Sequence, residues 1–222
     1  MVESVTWVHQ VPDGPYAARA VLDRSSLASI GEANALFVNL VADRHATRPG
    51  SSAFGLTADT AARICALNAP ARVAVAQCPY TLFDVRFKDA MFWRRLASDA
   101  GCHTLDCAAD DACFARAAVF LAWHLARSKG LAAALVLGMT PEVTCAWRGI
   151  PLSAIDQVAL AALPHVEARW GRHAIFWPQL IDTALPAARD RVEAIRLLGL
   201  QLLAADGLRL RVPRPAGSFA GA

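Results

Sequence analysis

The chain has 222 residues, 55% of them hydrophobic and only 18% charged, with a net charge of +3. That composition excludes extensive disorder, and so small a charge does not by itself mark a nucleic-acid binder, although a local basic patch would suffice for one. Ala and Leu dominate and β-branched residues are sparse, so intrinsic propensity predicts a mainly α fold.

Residues 1–28 read as a leader holding at most one short strand, with Pro12-Asp13-Gly14-Pro15 as a turn. Their first residues, Met1 to Trp7, have no basic start and no long apolar core, so no signal peptide is read here. The expected compartment is the cytoplasm, and the six cysteines are expected to be reduced thiols. A helix is predicted over 29–46, where Leu36, Phe37, Leu40 and Val41 share a face, and Gly55 is expected to close it. Thr57 is placed to cap a short helix through Cys65, and Asn68 a second one ending near Gln77.

Residues 98–111 form a cysteine-containing linker. A long helix is then predicted over 113–137, closed by Gly138. This most apolar stretch is interrupted by His124, Arg127 and Lys129, too polar for a membrane span, so no membrane partner is expected. Thr140-Pro141-Glu142 starts another helix: a capping hydroxyl, a proline where its missing N–H is harmless, and an acid in the first turn. Gly149-Ile150-Pro151 breaks it, and Ser153 is expected to cap the next. An amphipathic helix over 186–205, carrying Val192, Ile195, Leu198, Leu202 and Leu203, precedes a basic tail.

The second half repeats the first. Gly55 and Gly138 stand 83 residues apart, and at that offset Phe37 meets Phe120, Arg44 meets Arg127, Thr57 meets Thr140 and Arg86 meets Arg169. One extra residue then brings Phe92-Trp93 onto Phe176-Trp177. The expected organisation is two helical units, 29–97 and 112–184, packed about a pseudo-two-fold axis, followed by a helix and tail over 185–222.

Sequence motifs for chemistry are scarce. Cys102-His103 with Cys107 and Cys113 offers soft ligands for zinc, but no Cys-x-x-Cys knuckle accompanies them, so neither metal nor cofactor is expected. No nucleophile elbow, phosphate loop or dinucleotide fingerprint is present, and a non-enzyme is predicted. The enzymatic alternative would use Cys78 with a distant histidine, or Cys102 and His103. Trp93, Trp123, Trp147, Trp170 and Trp177 are read as core, with an interface role as the alternative.

Phe54-Gly55-Leu56-Thr57, the two short helices over 58–77 and Arg86-Phe87-Lys88-Asp89 together resemble FlhD, the helical subunit of the flagellar master transcriptional regulator. Leu137-Gly138-Met139-Thr140-Pro141-Glu142-Val143 carries a second, weaker likeness, in which Gly171-Arg172 stands where the acid of the Arg-Phe-x-Asp sequence would be. Members of that family are about half this length and carry one copy. Phe83 takes the place of a cysteine common in the family, so no disulfide is implied there. The resemblance implies a regulatory protein acting through a protein partner, with DNA as a second possible contact. Arg63, Arg86, Arg148, Arg169 and Arg172 are the candidate contacts to partner or nucleic acid. A helical adaptor or assembly factor with no nucleic-acid role is the other non-enzymatic reading.

Overall fold

Asp23 opens the first helix: its carboxylate accepts the Ser26 N–H at 2.8 Å, and α1 runs Arg24–Thr47, starting earlier than the apolar spacing alone predicts. The computed structural model describes residues 22–98, 108–185 and 191–211. Within them the chain is mainly helical, with one two-stranded sheet.

Thr57 caps α2 (Ala58–Ala66) through the Thr60 N–H, and Asn68 caps α3 (Ala69–Ala76) through the Ala71 N–H. A two-residue strand, β1 (Phe83–Asp84), leads to α4 (Ala90–Ser98). The second half runs α5 (Ala109–Ser128), α6 (Gly130–Leu137), α7 (Pro141–Gly149), α8 (Ile155–Ala162), β2 (Glu167–Ala168) and α9 (Phe176–Thr183). Thr140 caps α7 through the Val143 N–H, as Thr57 caps α2. A final helix, α10 (Val192–Arg211), lies against α9.

Several expectations need correction. The long helix over 113–137 is two helices, because Lys129 leaves helical geometry (φ −144°, ψ 63°) and Gly130 follows it. Arg148 crosses that break, its Nε donating to the Ala126 carbonyl at 2.9 Å. Gly55 does not close α1, which stops at Thr47 before the Arg48-Pro49-Gly50 turn. Gly55 instead takes a positive φ of 79° in a tight turn. Gly138 does close its helix, at φ 66°. Ser153 caps nothing: a 3-10 turn over Leu152–Ala154 precedes α8, and Pro151, in the place of Asn68, has no side-chain acceptor.

The two halves meet reciprocally. In the antiparallel pair β1–β2, Phe83 faces Ala168 and Asp84 faces Glu167. At the offset of 84 Phe83 matches Glu167 and Asp84 matches Ala168, so each strand residue faces the position that matches its neighbour. The helices follow suit: α1 packs on α5, α2 on α9 and α7 on α4, α3 on α9 and α8 on α4. Phe37 centres the core, 5.5 to 5.7 Å from Phe54, Phe83 and Phe114, with Trp177 at 6.4 Å. Its match with Phe120 fails, since Phe37 is buried and Phe120 is 50% exposed. Ile30, Phe37, Val38 and Val41 align in burial with Phe114, Leu121, Ala122 and Leu125, one residue further on.

Candidate functional site

The five candidate arginines separate by what their guanidinium groups already hold. Arg169 is buried, donating to the Val136 carbonyl at 3.1 Å and the Leu137 carbonyl at 2.7 Å, where α6 ends. Burial pulls it below the usual arginine value, while the charges of Asp84 and Asp206 oppose that shift. It is no surface contact; it closes a helix end inside the core. Arg148 is committed to the Ala126 carbonyl of α5, and Arg63 to an ion pair joining α2 to Asp182 of α9. These three hold the fold together.

Arg86 and Arg172 remain. Arg86 is exposed, takes a positive φ of 49°, lies over the Phe92 ring at 5.2 Å and pairs loosely with Asp89 at 3.9 Å. Arg172 is exposed and has no hydrogen bond or ion pair among the described residues. Beside Arg86, the His165 ring meets Phe92 edge-on at 4.8 Å. Burial, and then the Arg86 charge, lower the His165 pKa, so the ring is neutral at pH 7.

The backbone also revises the pairing of Arg86 with Arg169. Strained positive φ falls on Arg86 and Trp170 (54°), so these two are equivalent, and Arg169 corresponds to the buried Val85. The same offset pairs Asp89 with His173. Asp89 accepts the Phe92 N–H at 2.8 Å to start α4, and His173 Nδ1 accepts the Phe176 N–H at 3.2 Å to start α9. An imidazole therefore replaces the missing acid of the second Arg-Phe-x-Asp position. Trp93 donates to the Arg86 carbonyl and Trp177 to the Arg169 carbonyl, one position short of the matching Trp170, and both indoles are buried as core.

At Trp170 the surface is covered. Trp170 Nε1 donates to Asp206 of α10 at 3.3 Å, and Lys88 pairs with the same carboxylate at 3.0 Å. Tyr80, Trp170 and Phe176 form an aromatic trio beneath α10, with ring centroids 4.7 to 6.4 Å apart. A β-carbon at Gly138 would lie 3.6 Å from Leu203 of α10, whereas one at Gly55 would meet nothing within 4 Å among the described residues.

The enzymatic alternatives gain no support here. Cys78 is buried, its thiol donates to the Val75 carbonyl at 3.7 Å, and burial pushes its pKa up to about 11, so it is a protonated, inert thiol at pH 7. Cys102, His103 and Cys107 lie outside the described residues, and Cys113 is exposed on α5. Among the described residues no group of three His, Cys, Asp or Glu side chains could hold a metal ion, and no single helix is long and apolar enough to cross a membrane.

An apolar groove between α5 and α8, lined by Phe120, Leu152 and Ile155, is rimmed by the Arg116–Asp156 ion pair. No family model, no curated protein and no solved structure matches the chain.

Proposed function

We propose that this chain is a non-enzymatic regulatory protein, FlhD-like in its two helical units, that acts by joining a protein partner. The observation that carries the reading is the reciprocal meeting of two like-ordered units across β1 and β2. One chain of this length thereby builds what two single-copy chains related by a two-fold would build, a covalent pseudo-dimer. The resemblance in sequence supplies the regulatory role, and the surface holding Arg86 and Arg172 supplies the contact.

DNA contact is the narrower reading. Groove recognition would need basic side chains on the second short helix of each unit. Arg72 on α3 instead donates to the Leu67 and Cys65 carbonyls, and α8 carries no basic residue. Of the five candidate arginines only Arg86 and Arg172 are left for phosphate contact, a pair that does not by itself favour the tight, strongly salt-dependent binding of a DNA reader. A protein partner fits the arginine pattern better. An adaptor with no part in transcription would use the same surface.

The experiment is genetic. Reversing the charges of Arg86 and Arg172 in the chromosomal copy should reproduce the transcript changes caused by deleting the gene, at unchanged protein level. A deletion that leaves every transcript unchanged would overturn the regulatory role and leave the adaptor reading.

A further inference from the structure

Helix α10 breaks the internal symmetry, because the described residues contain no counterpart for it. It sits over Trp170, Phe176 and Tyr80, near Gly138, and its Asp206 is held by Lys88 and the Trp170 indole. At the offsets that relate the halves, Trp170 corresponds to Arg86, Phe176 to Phe92, Lys88 to Arg172 and Gly138 to Gly55. His165 supplies the ring that meets Phe92, as Tyr80 meets Phe176. The second position therefore has the same framework: a glycine turn, a ring against the start of a helix, and basic side chains in place of the two donors to Asp206. Its glycine is uncovered among the described residues, and Met91, next to Phe92 on α4, is 54% exposed.

We infer that this second position is a seat for an amphipathic helix of a protein partner, one that presents aliphatic side chains to Gly55 and Phe92 and a carboxylate to Arg86 and Arg172. The inference rests on the regulatory reading only for its biological purpose; the seat itself is argued from the fold. Two features set the occupant's chemistry. The occupied seat shows that a helix with buried Ile195 and Leu203 and a carboxylate at Asp206 fits this framework. Where the occupied seat offers one lysine and one indole N–H, the open one offers two guanidinium groups, so it selects a more acidic helix than α10. Nucleic acid would use the same charges but would leave the Gly55–Phe92 surface uncovered.

A direct probe is a fluorescein-labelled synthetic peptide of residues 191–211 in which Arg196, Arg209 and Arg211 are replaced by Glu. Tethered α10 keeps its own seat through its high effective concentration, so the free peptide samples the open one. Anisotropy should show saturable binding to the full chain that weakens about tenfold or more in the Arg86→Glu/Arg172→Glu variant. Arg24→Glu, on the exposed start of α1, makes the same change in net charge as either single reversal and should leave binding intact. Circular dichroism of each variant checks that the fold is kept.

Absence of binding at millimolar protein overturns the seat, as does binding insensitive to the reversals. Wild-type self-association abolished by the same reversals assigns the surface to a second copy and also overturns the proposal. So does displacement of the peptide by generic duplex DNA at physiological salt. Because the genetic experiment reads transcripts and this one reads a peptide, either can fail without the other.

Discussion

Tyr80 packs so closely on Gly199 of α10 that a β-carbon there would overlap the tyrosine hydroxyl and ring. Glycine at this helical position is a requirement of packing, since the backbone there is ordinary helix. Gly199→Ala should gain about 1 kcal/mol in helix propensity yet lose more from overpacking, which costs about 1–3 kcal/mol. Amide hydrogen exchange should show α10 losing protection while α1 and α5 keep theirs. A variant with unchanged α10 protection and raised stability would contradict the packing described.

Asn34 ties the first unit together from within the core. Its amide donates to the Ala76 and Tyr80 carbonyls, at 3.1 and 2.9 Å, and its carbonyl accepts the Leu82 N–H at 2.8 Å. Asn34→Ala would strand the Tyr80 carbonyl and the Leu82 N–H, while the Ala76 carbonyl keeps the Cys78 N–H at 2.8 Å. Denaturant unfolding is expected to show a loss of about 2–4 kcal/mol. A loss under 1 kcal/mol would mean that water satisfies those groups.

Arg169 and Arg172, three positions apart, should behave oppositely. Arg169→Ala leaves the Val136 and Leu137 carbonyls without their charged donor and should cost about 3 kcal/mol. Arg172→Ala should stay within about 0.5 kcal/mol of the parent, as an exposed change should. Thermal melts of the two single variants decide it, and equal melting of both would refute the division of the arginines.

Alkaline pH should destabilise the protein through Cys78 and Tyr80, whose pKa values burial raises. Above about pH 9 the unfolded thiol ionises while the folded one keeps its proton. The unfolded state then binds fewer protons, and stability falls by up to about 1.4 kcal/mol per pH unit. Tyr80 adds to the slope above its ordinary value of 10.0. Unfolding midpoints between pH 8 and 11 under reducing conditions should fall, and less steeply in Cys78→Ala. Identical slopes in parent and variant would remove Cys78 from the account.

Much of the fold was legible from local chemistry. The caps at Thr57, Asn68 and Thr140 and the stop at Gly138 each depend on a residue and its immediate neighbours, and all four lie where the sequence puts them. What escaped depends on distant partners. Nothing near Arg169 in sequence says that its guanidinium meets carbonyls of α6, and nothing near Lys129 says that Arg148 crosses a helix break there. The two-residue strands are too short to leave an alternating pattern. Register between the halves was misread where chance identity, Phe37 with Phe120 or Arg86 with Arg169, outweighed burial. Of the five candidate arginines, Arg86 and Arg172 keep their guanidinium groups on the surface without holding another helix in place.

A charge exchange tests the seat most directly. The Arg86→Glu/Arg172→Glu protein should regain affinity for a peptide of residues 191–211 whose Asp206 and Glu193 are both replaced by Lys, a peptide the parent binds poorly. Recovery to within about threefold of the original pair, read by anisotropy at physiological salt, is the predicted result, because the attraction is restored with its sign inverted. If the exchanged pair binds no better than the mismatched ones, the arginines do not face the helix, and the account of this surface is contradicted.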